Sequence, residues 1–117
     1  MTTMELALRV TDDTAIVALP AQIDASSEPS LTRAYQDAAG RASRVVLDFG
    51  RTEYINSTGI AVIVGLIARA RKHGHQLAAY GLSEHYREIF EVTRLAEFLA
   101  LFDDEAAALA GREGEKA

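Results

Sequence analysis

A chain of 117 residues that is 49% hydrophobic, with no cysteine and no tryptophan, has the size and composition of one soluble domain. The missing cysteines exclude a disulfide scaffold, a thiol nucleophile and a thiolate metal site. With 12 basic against 17 acidic residues the net charge is −5, the wrong sign for general binding along a phosphate backbone, so no nucleic-acid partner is expected.

Met4 to Val10 alternates roughly between apolar and polar residues, and Thr14 to Leu19 is rich in β-formers. The polar Thr11-Asp12-Asp13 between them predicts an antiparallel hairpin. Pro20 ends the second strand because it cannot donate to a ladder. Ala21 to Pro29 reads as a loop, with Ser26 or Ser27 capping a helix that carries Pro29 in its first turn. Leu31, Ala34, Tyr35, Ala38 and Ala39 recur at helical spacing up to Gly40.

Arg44 to Phe49 is a nearly continuous apolar run, as in a central strand covered on both faces. Gly50 to Glu53 is a turn, and Tyr54-Ile55 leads into Asn56-Ser57-Thr58-Gly59. A helix is predicted from about Thr58 to His73, apolar almost all round in its first half and closed by basic residues and Gly74. Gln76 to Tyr80 is β-like, Ser83 caps a third helix through Glu91, and Phe98 to Phe102 is a last short strand. Asp103 is expected to cap a final helix from Asp104 to about Ala110. The order β-β-α-β-α-β-α-β-α predicts an α/β single domain, a mixed β-sheet with packed α-helices, over 1–111, with a flexible C-terminal tail over 112–117.

The longest apolar run, Ile60 to Ala68, is about half the roughly 20 residues needed to cross a bilayer. The opening Met1-Thr-Thr-Met-Glu-Leu lacks the pattern of a signal peptide. A cytoplasmic protein without membrane association is expected.

Ile55-Asn56-Ser57-Thr58-Gly59-Ile60 is the informative segment: hydroxyls and a glycine open a helix almost devoid of polar side chains. Helix N-termini expose unpaired N–H groups and partial positive charge, which favour an anion or a phosphorylated serine. The plainest reading is that Ser57 or Thr58 is an N-cap. A nucleophile elbow is half matched, but Ile55 stands where its first glycine belongs. A phosphate-binding loop fails because Gly59 and Gly65 are wrongly spaced and no lysine follows. A receiver domain with Asp48 as phosphoacceptor is opposed by the opening hairpin and by the missing lysine at the last strand.

Val45 to Ile67 resembles the central region of STAS domains, the sulfate-transporter and anti-sigma-factor-antagonist family. The match lies in a strand ending in Asp48, the Tyr54-Ile55 pair, and Asn56-Ser57-Thr58-Gly59-Ile60 before an apolar helix. Leu19-Pro-Ala-Gln-Ile-Asp24-Ala looks like the family's Gly-Glu-Leu/Ile-Asp loop, and the likeness covers nearly the whole chain. Asn56 replaces the usual Asp, and Ala21-Gln22 replaces the usual Gly-Glu.

The resemblance implies a non-enzymatic anti-sigma factor antagonist with no cofactor and no metal. Its unphosphorylated form would bind an anti-sigma factor/serine kinase and release a sigma factor. Phosphorylation would fall on Ser57, and a PP2C-type phosphatase would reverse it. Partner contact is expected from Asp24, Asn56, Ser57, Thr58 and Gly59, in a monomer or weak dimer. The alternative is a STAS docking subunit of a transport ATPase or stress-signalling scaffold, without phosphorylation. A small hydrolase using Ser57 is the third class.

Asp24 reads equally as a partner contact or as the acceptor of a loop-stabilising bond. Ile60 and Ile63 are expected in the core. His73 and His75 form an H-x-H pair with no further ligands nearby, read as solvated capping. His85 is expected on a helix surface, and Arg69, Arg71 and Lys72 on a solvated basic face.

Overall fold

The computed structural model describes residues 6–114. Strands β1 (Leu8–Thr11) and β2 (Thr14–Ala18) form the expected hairpin, with Asp12 at φ 52° in the left-handed conformation that aspartate tolerates. Strands β4 (Arg44–Asp48), β6 (Gln76–Tyr80) and β7 (Ala100–Phe102) join them in a mixed five-stranded sheet of order β1-β2-β4-β6-β7. Every pair beyond the hairpin is parallel, and β4 lies at the centre as its apolar run predicts.

The parallel pairs are connected through helices α1 (Glu28–Ala39), α2 (Ser57–His73) and α3 (Glu84–Val92). Successive crossovers step the same way across the sheet and put all three helices on one face. There Leu31 and Tyr35 of α1, Ile63 and Leu66 of α2 and Phe90 of α3 pack on Val17, Leu47 and Ala79. The alternate residues Ile16, Val46 and Ala78 point to the other face, beneath Ala108 of α4 (Glu105–Gly114). Ile63 is fully buried and Ile60 packs against the same core, both as expected.

Side-chain bonds fix the start of α4. The Arg9 guanidinium donates to both Glu105 carboxylate oxygens, at 2.6 and 3.3 Å, and the Tyr80 hydroxyl donates to Oε1 at 3.1 Å. The bond from Arg9, followed by that from Tyr80, holds the Glu105 carboxyl below its ordinary range. Burial, and then the neighbouring carboxylates of Asp48 and Glu105, push the Tyr80 phenol up.

Several boundaries differ from the sequence reading. The first strand starts at Leu8, and Met4 and Glu5 lie outside the described residues. The last strand starts at Ala100, because Leu95–Glu97 winds into a 3-10 turn that Phe98 closes on the Leu95 carbonyl. Asp104, not Asp103, caps α4, accepting the Ala107 N–H at 2.8 Å, while Asp103 accepts from Arg87 instead. Helix α4 runs to Gly114, into the segment read as a tail; 115–117 lie outside the described residues. Among the described residues no helix is long and apolar enough to cross a membrane.

Candidate functional site

Two strands the sequence did not reveal as a pair create the site. Residues Gln22–Ile23 (β3) and Tyr54–Ile55 (β5) bond to each other in parallel, as a ribbon separate from the main sheet. The two segments that enter the ribbon are bonded to each other as well. Thr52 Oγ1 donates to the Pro20 carbonyl at 2.8 Å, and the Glu53 and Tyr54 N–H groups share the Ala21 carbonyl. Each strand then hands the chain to a turn: β3 to Asp24 and a 3-10 turn (Ala25–Ser27), β5 to Asn56 and α2. The Asn56 N–H donates to the Ile23 carbonyl at 3.2 Å, so the two turns sit side by side. Sequence separation hides this neighbourhood, but the structure brings Asp24 and the 56–59 turn together.

Gly59 is the point of closest approach. A Cβ there would fall 2.1 Å from the Ile23 carbonyl oxygen and 2.7 Å from its carbon. Only glycine lets the first turn of α2 lie against the backbone of β3.

Asn56, rather than Ser57 or Thr58, is the N-cap of α2, which corrects the sequence reading. Its backbone is extended, and its Oδ1 accepts the Gly59 N–H and the Thr58 hydroxyl, each at 2.8 Å. The helix therefore starts one residue earlier than the hydroxyl-capped alternative, with Ser57 as its first residue. Asn supplies the same acceptor atom that Asp would, without the charge. Asn56→Ala is expected to cost about 1 kcal/mol of unfolding free energy, measured by denaturant titration. An unchanged midpoint would contradict the capping geometry.

The neighbouring hydroxyls differ sharply. Thr58 Oγ1 is committed to Asn56, whereas the exposed Ser57 hydroxyl has no hydrogen-bond partner among the described residues. The Ser57 and Thr58 N–H groups also lack acceptors among the described residues, as expected at a helix start. The neighbouring surface is mixed, small apolar side chains beside an acidic one. A shallow groove of about 220 Å³ is lined by Ala25, Glu28, Thr58, Ala61 and Val62. Further along α2, Val64 and Gly65 are exposed, as is Tyr54 on β5.

For Asp24, the geometry supplies the loop-stabilising bond. Its Oδ1 accepts the Ser26 hydroxyl at 2.6 Å and the Ser26 N–H at 2.9 Å. Those bonds, the hydroxyl first, hold its carboxyl below the usual range. Ser27 returns the favour by accepting the Asp24 N–H at 3.1 Å. Ser27 is thus the residue before α1, as read from sequence, but its hydroxyl serves this box and not α1, whose first turn instead holds Pro29.

At the far end of α2, Gly74 takes the expected left-handed C-cap at φ 75°. His75 is not simply solvated: it is half-buried, its ring edge to face with Tyr35 at 6.4 Å. His73 and His85 are exposed. Arg71 lies over the half-exposed Phe98 ring, 4.6 Å from its centroid.

The STAS domain family model matches residues 5–108 of the chain. This protein belongs to the STAS domain family. Its sequence is 31% identical over 83 residues to the anti-sigma-B factor antagonist of Listeria monocytogenes, covering 68% of this chain and 71% of the relative. The STAS fold is also shared with the anti-sigma factor antagonist SpoIIAA in its unphosphorylated form. That likeness has a TM-score of 0.69 and 16% identity over 92% of this chain and 96% of the other. SpoIIAA of Bacillus in its phosphorylated form matches almost equally, with a TM-score of 0.68 and 18% identity over 92% and 99% of the two chains. The protein TM1081 superposes with a TM-score of 0.78 and 16% identity over 94% and 90%.

Proposed function

We propose that this STAS domain is a non-enzymatic anti-sigma factor antagonist that docks through Asp24 and the Asn56-to-Gly59 turn and is switched off by phosphorylation of Ser57. The observation that carries the reading is the contrast between the two hydroxyls. Ser57 offers an exposed Oγ with no hydrogen bond among the described residues at the positive end of α2, while the Thr58 hydroxyl donates to the Asn56 cap. No base among the described residues is hydrogen-bonded to Ser57, which suits a hydroxyl modified by another protein better than a nucleophile. The names of the curated relatives support the antagonist role.

In this reading the unphosphorylated protein binds an anti-sigma factor that is also a serine kinase, and the sigma factor is released. Asp24 remains ionised at neutral pH and presents a carboxylate to a basic partner group. Phosphorylation adds about −1.5 to −2 charge at Ser57. The free N–H groups and the helix dipole accommodate that charge within the domain, so its cost falls on the interface and not on the fold. A PP2C-type phosphatase restores the binding form.

The neutral Asn56 favours a second reading, a docking subunit of a transport ATPase or stress-signalling scaffold that is never phosphorylated, because a charge is missing beside the acceptor. One experiment separates them. The full-length protein, recovered from its own cells, is mapped for phosphate by mass spectrometry beside Ser57→Ala. Phosphate on Ser57 that disappears in the variant is expected. Equal phosphorylation of Ser57→Ala would overturn the assignment, and complete absence of phosphate under all growth conditions would favour the docking subunit.

A further inference from the structure

Tyr86 lies on the apolar side of α3, a helix that the sequence predicts but gives no part in the site, yet it touches the backbone of the site. Its phenolic oxygen accepts the Ile55 N–H at 2.9 Å, in a buried bond that spans 31 positions of sequence. The setting makes this bond matter. Strand β5 is two residues long, it pairs with β3 alone, and the residues that follow are Asn56 and Ser57. A two-stranded ribbon of this size is marginal by itself and depends on tethers from the rest of the molecule. Tyr86 is also held from its own side. Its N–H donates to Ser83 Oγ at 3.3 Å in the cap of α3, and the His85 ring packs edge to face against it at 4.8 Å.

We infer that Tyr86 is a positioning residue for the Ser57 turn: from α3 it pins the end of β5 and so fixes where the Ser57 hydroxyl is presented. The inference rests on the reading of Ser57 as phosphoacceptor and deepens it, because a helix remote in sequence becomes part of the apparatus that offers the hydroxyl. Without the phenol, the buried Ile55 N–H has no acceptor, and the ribbon gains by moving until water reaches it. Asn56 and Ser57 move with it, while the β2, β4 and β6 ladders keep their own bonds.

The test is Tyr86→Phe in the full chain, which keeps the ring and removes only the oxygen. Ile89→Val, in the same helix and packed on the core, serves as the control for general destabilisation. Amide hydrogen exchange followed by NMR is expected to quicken about tenfold at the bonded amides of Ile55, Asn56, Gly59 and Ile60 in Tyr86→Phe, relative to amides of β4 and β6. Phosphate occupancy of Ser57 in cells is expected to fall for Tyr86→Phe beyond that of Ile89→Val. A uniform rise in exchange, or none at Ile55, overturns the inference, and so does a local rise that leaves occupancy unchanged. If wild-type Ser57 carries no phosphate, the phosphoacceptor reading fails by itself, and the exchange pattern alone decides whether Tyr86 holds the turn.

Discussion

Gly59→Ala is expected to destabilise the protein by about 3 kcal/mol, a large effect for one methyl group. The new Cβ would sit 2.1 Å from the Ile23 carbonyl oxygen and 3.1 Å from Ile55 Cγ2. The first of these is backbone and cannot swing aside as a flexible side chain would. Either α2 withdraws from β3 or β3 withdraws from β5, and in both cases the Asn56 bond to the same Ile23 carbonyl is disturbed. Gly65→Ala is the matched comparison on the same helix. It meets nothing within 4 Å, stays exposed and removes a glycine from a helix interior, so it is expected to stabilise by about 0.5–1 kcal/mol. Urea titrations of both variants measure the contrast, and equal effects would mean that the approach of α2 to β3 is not tight.

The second large effect concerns binding. Phosphorylated Ser57 is expected to cost the partner complex about 3 kcal/mol, a loss of more than a hundredfold in affinity. Ser57→Glu brings a single negative charge to the same position and is expected to weaken the complex at least tenfold (about 1.4 kcal/mol). Neither change should lower the melting temperature, because an anion in the first turn of a helix meets its positive end. Titration calorimetry against the anti-sigma factor recovered with wild-type protein gives the affinity, and a thermal melt gives the stability. Weakened binding together with a lower melting temperature would locate the effect in folding instead of docking. Unaltered affinity would remove Ser57 from the interface altogether.

Much of the main sheet is legible in the sequence because its signals are local. Asp12-Asp13 marks the hairpin, the unbroken run at Val45–Leu47 marks a strand covered on both sides, and Gly74 and Ser83 mark helix ends through backbone conformation and capping. The ribbon β3–β5 is not legible, since two residues cannot display a period and their partner lies 32 positions away. The cap of α2 is ambiguous in the sequence for a related reason. Asn56, Ser57 and Thr58 are all competent caps, and only the extended backbone at Asn56 and its bond to the Gly59 N–H settle which one serves. Asp103 and Asp104 posed the same ambiguity at α4, resolved by Arg87 drawing Asp103 away. Tyr86 gave no signal beyond an apolar position on a helix face, because its role lies in a hydroxyl meeting a distant N–H.

The parallel order of the sheet bears on how the chain reaches this state. Strands β1 and β2 can zip together across a two-residue turn within microseconds. Pairing β2 with β4, β4 with β6 and β6 with β7 must each wait until an intervening helix has closed a long loop, which places the domain among the slower folders of its size. The turn beside the ribbon, whose neighbours Ile23 and Ile55 come from separate crossovers 32 positions apart, waits on a loop as long as those of the sheet. A newly made chain is therefore expected to gain its sheet and this corner of its surface together, neither being available from local contacts alone.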